Sequence, residues 1–369
     1  MTSNLHQLPE TVGIAGAGLL GRLFAWKLLQ SGCKVTLFEA GQFAPKPGDT
    51  FFPAAFTAAG MIAPLSEAVV SDQNIYRMGQ FALQQWPEWL KTLPSVEPFF
   101  YQRGSLVVAH PQDVSELTQF EQELQFVLPE CNTYARINQQ QIHELEPDLN
   151  PVFSEGLLLS EEGHINNRQL LTALGKEIIR LGVTLRDQTS VNVQPNKIVT
   201  NTNEETFDWV IDCRGYGAKV QDKKLRGVRG ETLAVQTKEF SLQRPVRLMH
   251  PRYQLYIVPK PHNIFLIGAT QIESEDKSAV SLQSSLELSS ALYTLSSAFA
   301  EARIIELGVN LRPAYQDNLP RIQIQHGLIT ANGLFRHGYL LAPAIIESVL
   351  AYLGNKEQTV FCNLLQDHR

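Results

Sequence analysis

The sequence predicts an α/β chain in which a Rossmann-type βαβ unit is interleaved with α+β material on an antiparallel sheet. Three observations predict it. Residues 12–39 read as strand, glycine turn, helix and strand. Segments of βα character recur at the start, around 150–220 and around 320–369. Between them, residues 227–237, 253–258, 263–270 and 303–311 are β-rich with short connections.

The first observation carries the most chemistry. Val12–Ile14 runs into Gly16, Gly18 and Gly21 at G-x-G-x-x-G spacing, and Val35–Phe38 ends in Glu39, eighteen residues past Gly21. In that pattern Gly16 permits the tight turn and Gly18 lets a pyrophosphate approach the backbone of Ala17, Leu19 and Leu20. Gly21 lets helix and strand pack closely. The helix N-terminus offers unpaired N–H groups and partial positive charge to phosphates. Glu39 accepts from ribose hydroxyls, which favours NAD or FAD over NADP. Leu20, Phe24 and Leu28 at i, i+4 and i+8 describe a helix that stops at Ser31-Gly32.

Further along, residues 41–56 read as a Pro-, Gly- and Phe-rich loop. TAAGMIAP (57–64) is small and apolar, suited to close contact with a ligand. Helical spacing is seen over 72–92, 112–127, 138–145 and 168–181, and Gly104–Ala109 reads as a strand. So do Val183–Leu185 and Val191–Val193, while Phe207–Cys213 reads as a buried parallel strand feeding the turn Arg214-Gly215-Tyr216-Gly217. Leu328–Ala331 predicts a last strand, followed by a helix from about Ala342 to Leu353 with Pro343 in its first turn.

Composition excludes several classes. The 369 residues are 44% hydrophobic and 18% charged, with a net charge of −6 and no basic block, which excludes a nucleic-acid partner. The N-terminus lacks a basic segment followed by an apolar one, so no signal peptide is expected, and no apolar run is long enough for a membrane span. Four cysteines without C-x-x-C pairing read as thiols of a reducing cytoplasm, and nine scattered histidines give no metal site. A cytoplasmic protein is therefore expected. The sequence leaves a homo-oligomer open.

Seven elements in order resemble the D-amino acid oxidase superfamily, and within it the glycine oxidase branch linked to thiamine synthesis. They are GAGLLG (16–21), AAGMIAP (58–64), EEGHINNRQLLTAL (161–174), VRGE (228–231), LYIVPK with GAT (255–260, 268–270), GVNLRP (308–313) and GLFRHGYLLAP (333–343). The resemblance implies an FAD-binding domain (1–95, 150–222, 320–369) and a substrate-binding domain (96–149, 223–319). It also implies oxidation of the CH–NH bond of an amine or small amino acid. Hydride would pass from Cα to flavin N5, the resulting imine would be hydrolysed, and oxygen would be the usual acceptor.

The resemblance also assigns roles. Arg312 would make a bidentate pair with the substrate carboxylate, a geometry that suits a guanidinium better than an ammonium. Tyr256 would donate to the same carboxylate or shape the pocket; the alternative is an ordinary half-buried strand tyrosine. Arg336 would contact substrate or flavin. Ala59, Gly60 and Met61 would lie at the flavin, although Met61 also suits core filling. Gly215, His337, Gly338, Tyr339 and Leu340 would line the cofactor, with the final helix aimed at the flavin N1–C2=O edge. No acid–base residue is required if the amine binds neutral in a dry site.

Gln254, Gln271, Arg214 and Tyr216 depart from the glycine oxidase pattern, which bears on glycine as substrate and not on FAD. Arg214 would pair with phosphate or with Asp212. Competing readings are a NAD-dependent dehydrogenase, a flavoprotein acting on a partner protein and a nucleotide-binding regulator.

Overall fold

The computed structural model describes residues 8–45, 52–94, 99–250, 255–355, 361 and the backbone of 365–367. Gln254, Cys362, residues 1–7 and residues 46–51 of the expected loop lie outside the described residues.

The glycine fingerprint folds as a βαβ unit. Strand Thr11–Ala15 leads into helix Leu19–Gln30, and strand Lys34–Phe38 returns parallel to the first, with Ile14 opposite Leu37. Most of the helix is buried, including Leu20, Leu23, Phe24, Trp26 and Leu28, because sheet and other helices cover it on several sides. A helix apolar nearly all round requires such an interior position.

This unit sits in a seven-stranded sheet. Its spatial order is Leu365–Asp367, Arg321–Gln325, Leu328–Asn332, Trp209–Asp212, Thr11–Ala15, Lys34–Phe38 and Thr184–Arg186. The five strands from Leu328–Asn332 to Thr184–Arg186 are parallel, and the first two run the other way. Thr11–Ala15 is flanked by the second strand on one side and by Trp209–Asp212 on the other. The strand order reverses there, and a ligand crevice opens at the carboxyl ends of strands at such a point.

An eight-stranded sheet carries the other half. From its edge it runs Arg303–Ala314, Arg226–Gln236, Ile264–Gly268, Leu255–Lys260, Val246–Met249, Ser105–Ala109, Glu155–Leu159 and Tyr134–Asn138. All neighbours are antiparallel except Val246–Met249 beside Ser105–Ala109. Helix Leu282–Leu295 covers it with Leu288, Leu292 and Leu295. A small sheet of Met61–Ile62, Gly163–Ile165 and Phe100–Tyr101 completes the part that positions the site.

Three features differ from the sequence expectation. Strand Glu155–Leu159, in the stretch 150–222 expected on the nucleotide side, hydrogen-bonds into the eight-stranded sheet as partner of Tyr134–Asn138. Helix Leu282–Leu295 carries serines between its leucines, and its periodicity was not read. The final helix begins at Gly338, not near Ala342, and Pro343 lies inside it. A proline there removes the bond to the Tyr339 carbonyl. The indole Nε1 of Trp86 donates to that carbonyl instead, at 2.9 Å, so the helix continues through the proline.

Candidate active site

The three glycines of the turn do different work. Gly16 has φ +97°, and a Cβ there would meet Arg214 Cα and the Cys213 carbonyl at 2.8 Å. A Cβ on Gly21 would lie 1.8 Å from the Gly16 carbonyl oxygen. Both positions are closed by protein packing. Gly18 is open: its nearest neighbour would be Pro53 Cβ, at 3.5 Å.

The helix behind Gly18 has no side-chain cap and no acid in its first turn, which leaves its N–H groups to face that space. Leu19 and Leu20 are buried, so they offer backbone there and not side chain. Glu39 accepts from Ala17 N–H at 2.8 Å and Gly41 N–H at 2.9 Å, fastening the turn to the end of the second strand.

Arg22 was not singled out from the sequence. It is buried and donates to the carbonyls of Ala17 at 2.9 Å, Leu171 at 3.0 Å and Phe43. Burial lowers it to about 10. The available signal was an arginine in the first, otherwise apolar half of the helix. The two readings of Arg214 resolve to the acid: it grips Asp212 through Nε at 2.9 Å and Nη2 at 2.7 Å. Next to it Gly215 takes φ +57° and accepts from Asn332 Nδ2 at 3.0 Å.

Arg312 stands near the end of the edge strand Arg303–Ala314. Its Nη1 donates to the Arg229 carbonyl at 3.2 Å and its Nη2 to the Thr270 carbonyl at 3.0 Å. Among the described residues no carboxylate pairs with it. Burial, and next Arg336, lower it to about 10. Gly230 makes its position available: a Cβ there would lie 2.6 Å from the guanidinium carbon. The glycine of VRGE thus lets the arginine lie flat across the neighbouring strand.

Arg336 approaches the same place from the final turn. Phe335, at φ +52°, bends the chain before it, a costly conformation for a bulky residue. Arg336 Nη1 faces Gln271 Oε1 at 3.5 Å, one residue from the carbonyl that holds Arg312. Its Nε and Nη2 donate to one oxygen of Glu67, at 3.1 and 2.6 Å. His337 Nε2 meets that same oxygen at 2.7 Å. Burial alone would raise the Glu67 carboxyl, but His337 and Arg336 together hold it well below the ordinary carboxylate range.

Glu67, on the short helix Pro64–Ala68, was missed in the sequence because its partners lie 269 and 270 residues away. Tyr256 lies on the strand beside Ile264–Gly268, opposite Gly268, and burial raises its hydroxyl. It is close enough to Arg336, Glu67 and Arg247 to feel their charges.

The Ala59–Gly60–Met61 segment is pinned from behind. Gly60 has φ +75°, and Lys260 Nζ donates to the Ala59 and Ile165 carbonyls at 2.7 and 2.8 Å. Burial lowers that lysine to about 7. Met61 is half-buried and pairs with His164, which is buried, stacked on Tyr101 and lowered to about 3 mainly by burial.

Beneath them burial pushes Glu162 up to about 7 from an ordinary 4.5, despite its bonds to Ser105 and Ser66. A raised folded value means that the folded state holds the proton more tightly. Stability is then full below about 4.5 and falls as pH rises toward 7. The melting temperature of the wild type should therefore decline across that window relative to Glu162→Gln. Parallel profiles would refute the assignment.

The residues fit a long dinucleotide cofactor at both ends of the crevice. Gly18 opens onto free space at one end. At the other, among the described residues, a Cβ on Gly338 would meet nothing within 4 Å, and the adjacent His337 Nδ1 is buried without a hydrogen-bond partner. Between these ends the Tyr339 hydroxyl donates to the Ala55 carbonyl at 3.0 Å, and Leu340 packs into the core. Leu340 lies in the core and leaves only its backbone to a ligand. No group of three or more His, Cys, Asp or Glu able to hold a metal occurs among the described residues.

A glycine turn at a strand-order reversal, together with a second sheet whose Arg312 has no acid partner among the described residues, fits a dinucleotide-dependent oxidoreductase. The chain belongs to the DAO family of FAD-dependent oxidoreductases, whose family model matches residues 11–353. It is a flavoenzyme, and the NAD-dependent dehydrogenase and non-enzymatic readings fall.

A Rhizobium etli protein named for a thiamine biosynthesis oxidoreductase, ThiO, is 38% identical over 338 residues, covering 91% of this chain and 94% of the relative. Among solved structures, glycine oxidase from Geobacillus kaustophilus matches with a TM-score of 0.81 at 21% identity, covering 96% of this chain and 97% of that one. Iminodiacetate oxidase from Chelativorans sp. BNC1 matches equally, at 0.81 and 21%, over 96% and 99% of the two chains. No helix among the described residues is long and apolar enough to cross a membrane.

Proposed function

We propose that this enzyme oxidises the CH–NH bond of a small amino acid or N-substituted glycine, as its relatives' names suggest for them. The observation that carries the reading is Arg312: half-buried, aimed by two backbone carbonyls and without an acid partner among the described residues. A guanidinium so placed is a receptor for one planar carboxylate. Holding that carboxylate fixes the amine-bearing carbon, which is worth a large part of a barrier when the reacting atoms are brought to contact distance.

The bound FAD supplies a two-electron acceptor. The protein's residues do the rest. Gly18, Leu19, Leu20 and Gly21 would present N–H groups to the diphosphate, Ala17, its N–H held by Glu39, would contribute turn backbone, and Glu39 would face the ribose. Gly215 would line the crevice beside the turn, and Ala59, Gly60 and Met61 would back the ring. The N-terminus of the helix starting at Gly338, with His337, Tyr339 and Leu340 setting it in place, would supply partial positive charge to the reduced flavin. Tyr256 shapes the substrate side, and Arg336 borders it. An amine that binds neutral after desolvation would need no general base.

Oxygen as acceptor and a cytoplasmic location belong to the same reading. The test is an anaerobic titration of the yellow holoprotein with glycine, sarcosine, D-amino acids and N-methyl amines lacking a carboxylate. Bleaching is expected from carboxylate-bearing amines. Bleaching by none of them would overturn the proposal and favour action on a partner protein.

A further inference from the structure

Two arginines stand at the proposed substrate space: Arg312 is half-buried and Arg336 exposed, and they differ in their partners. Arg312 has only carbonyl partners, whereas Arg336 is clasped by Glu67 through Nε at 3.1 Å and Nη2 at 2.6 Å. Glu67 is 9% exposed, and its engaged oxygen also meets His337. The other nearby cations are committed elsewhere. Arg247 is 1% exposed, lying against the rings of Phe120 and Tyr256, and Lys260 is spent on two carbonyls. Arg229 is paired with Glu231.

We propose that Glu67 is a specificity-determining residue: by covering the charge of Arg336 it leaves one open guanidinium in the site, so that the enzyme selects substrates with one carboxylate and rejects those with two. The inference rests on the carboxylate-binding role of Arg312. A second carboxylate brought near Arg336 finds an arginine already neutralised, and a buried acid of its own sign beside it. Like charges so juxtaposed are a strong discriminator. The role is electrostatic, so it belongs to the charge of Glu67 and not to its shape.

The matched pair for the test is methoxyacetate and diglycolate, ether analogues that differ by one carboxylate and carry no oxidisable amine. Their binding to the holoenzyme is read from the flavin difference spectrum. Wild type should bind methoxyacetate in clear preference to diglycolate. Glu67→Gln keeps the hydrogen-bonding shape and removes the charge. It should shift the ratio of dissociation constants toward diglycolate by about tenfold or more, the size of one charge-assisted hydrogen bond. Glu67→Asp, which keeps the charge, should restore the wild-type preference; a merely structural role would make both variants behave alike.

A wild type that binds diglycolate as well as methoxyacetate, or an unchanged ratio in Glu67→Gln, overturns the proposal. Binding of neither anion overturns it too. These outcomes do not depend on turnover. If the anions discriminate as expected while no amine bleaches the flavin, the charge argument stands and the assigned reaction fails. Sarcosine and iminodiacetate then repeat the comparison as substrates.

Discussion

Gly21→Ala yields protein without bound flavin and with a lowered melting temperature. The added methyl would sit 1.8 Å from the Gly16 carbonyl oxygen and 3.3 Å from Cys213 Sγ. The first contact is with backbone, so no side chain can swing aside. The helix must lift from the strand, and overpacking of this kind costs about 1–3 kcal/mol or more. The lifted helix also carries off the N–H groups meant for the diphosphate. Gly18→Ala is the informative contrast. Among the described residues its methyl meets only Pro53 Cβ, at 3.5 Å, so the apoprotein should melt like wild type while flavin affinity drops at least about tenfold. Absorbance at the flavin band and thermal melts of the apoproteins read both outcomes. A yellow Gly21→Ala protein of normal stability would contradict the packing argument.

Arg312→Ala retains flavin and loses substrate. Removing one partner of a buried, hydrogen-bonded charge pair costs about 2–5 kcal/mol, a weakening of roughly 30- to 5,000-fold. The anaerobic dissociation constant for a carboxylate-bearing amine should rise by that much, with the visible spectrum of the bound flavin unchanged. Arg312→Lys should recover little. An ammonium cannot lie flat over Gly230 or offer a planar fork to a carboxylate. An unchanged dissociation constant in the alanine variant would remove Arg312 from the site.

How far the site was legible in the sequence follows from how local its determinants are. The glycine turn, Glu39 and the first helix lie within one stretch of chain, and each residue type has a separate steric reason to be there. Arg312, Tyr256 and Arg336 carry no local pattern of their own. They were reached through resemblance, and the structure brings Arg312 and Arg336 together at the Thr270–Gln271 segment. Glu67 was invisible because its meaning is an ion pair closed across 269 residues.

Gly230 was visible as part of a motif, but its purpose depends on register. Gly230 pairs with Asn310, so the side chain two positions along the facing strand crosses over it. The start of the final helix was misplaced because a proline was read as a beginning. Nothing in a linear reading reveals that Trp86 would satisfy the carbonyl freed by that proline.

The order in which the chain leaves the ribosome has a consequence here. Thr11–Ala15 emerges first, yet one of its two sheet neighbours is Trp209–Asp212, and the strand beyond that is Leu328–Asn332. Throughout most of its synthesis the nascent polypeptide therefore holds out a naked strand edge, the kind of surface that invites wrong pairings. Cofactor capture becomes worthwhile only when the last tenth of the message has been read.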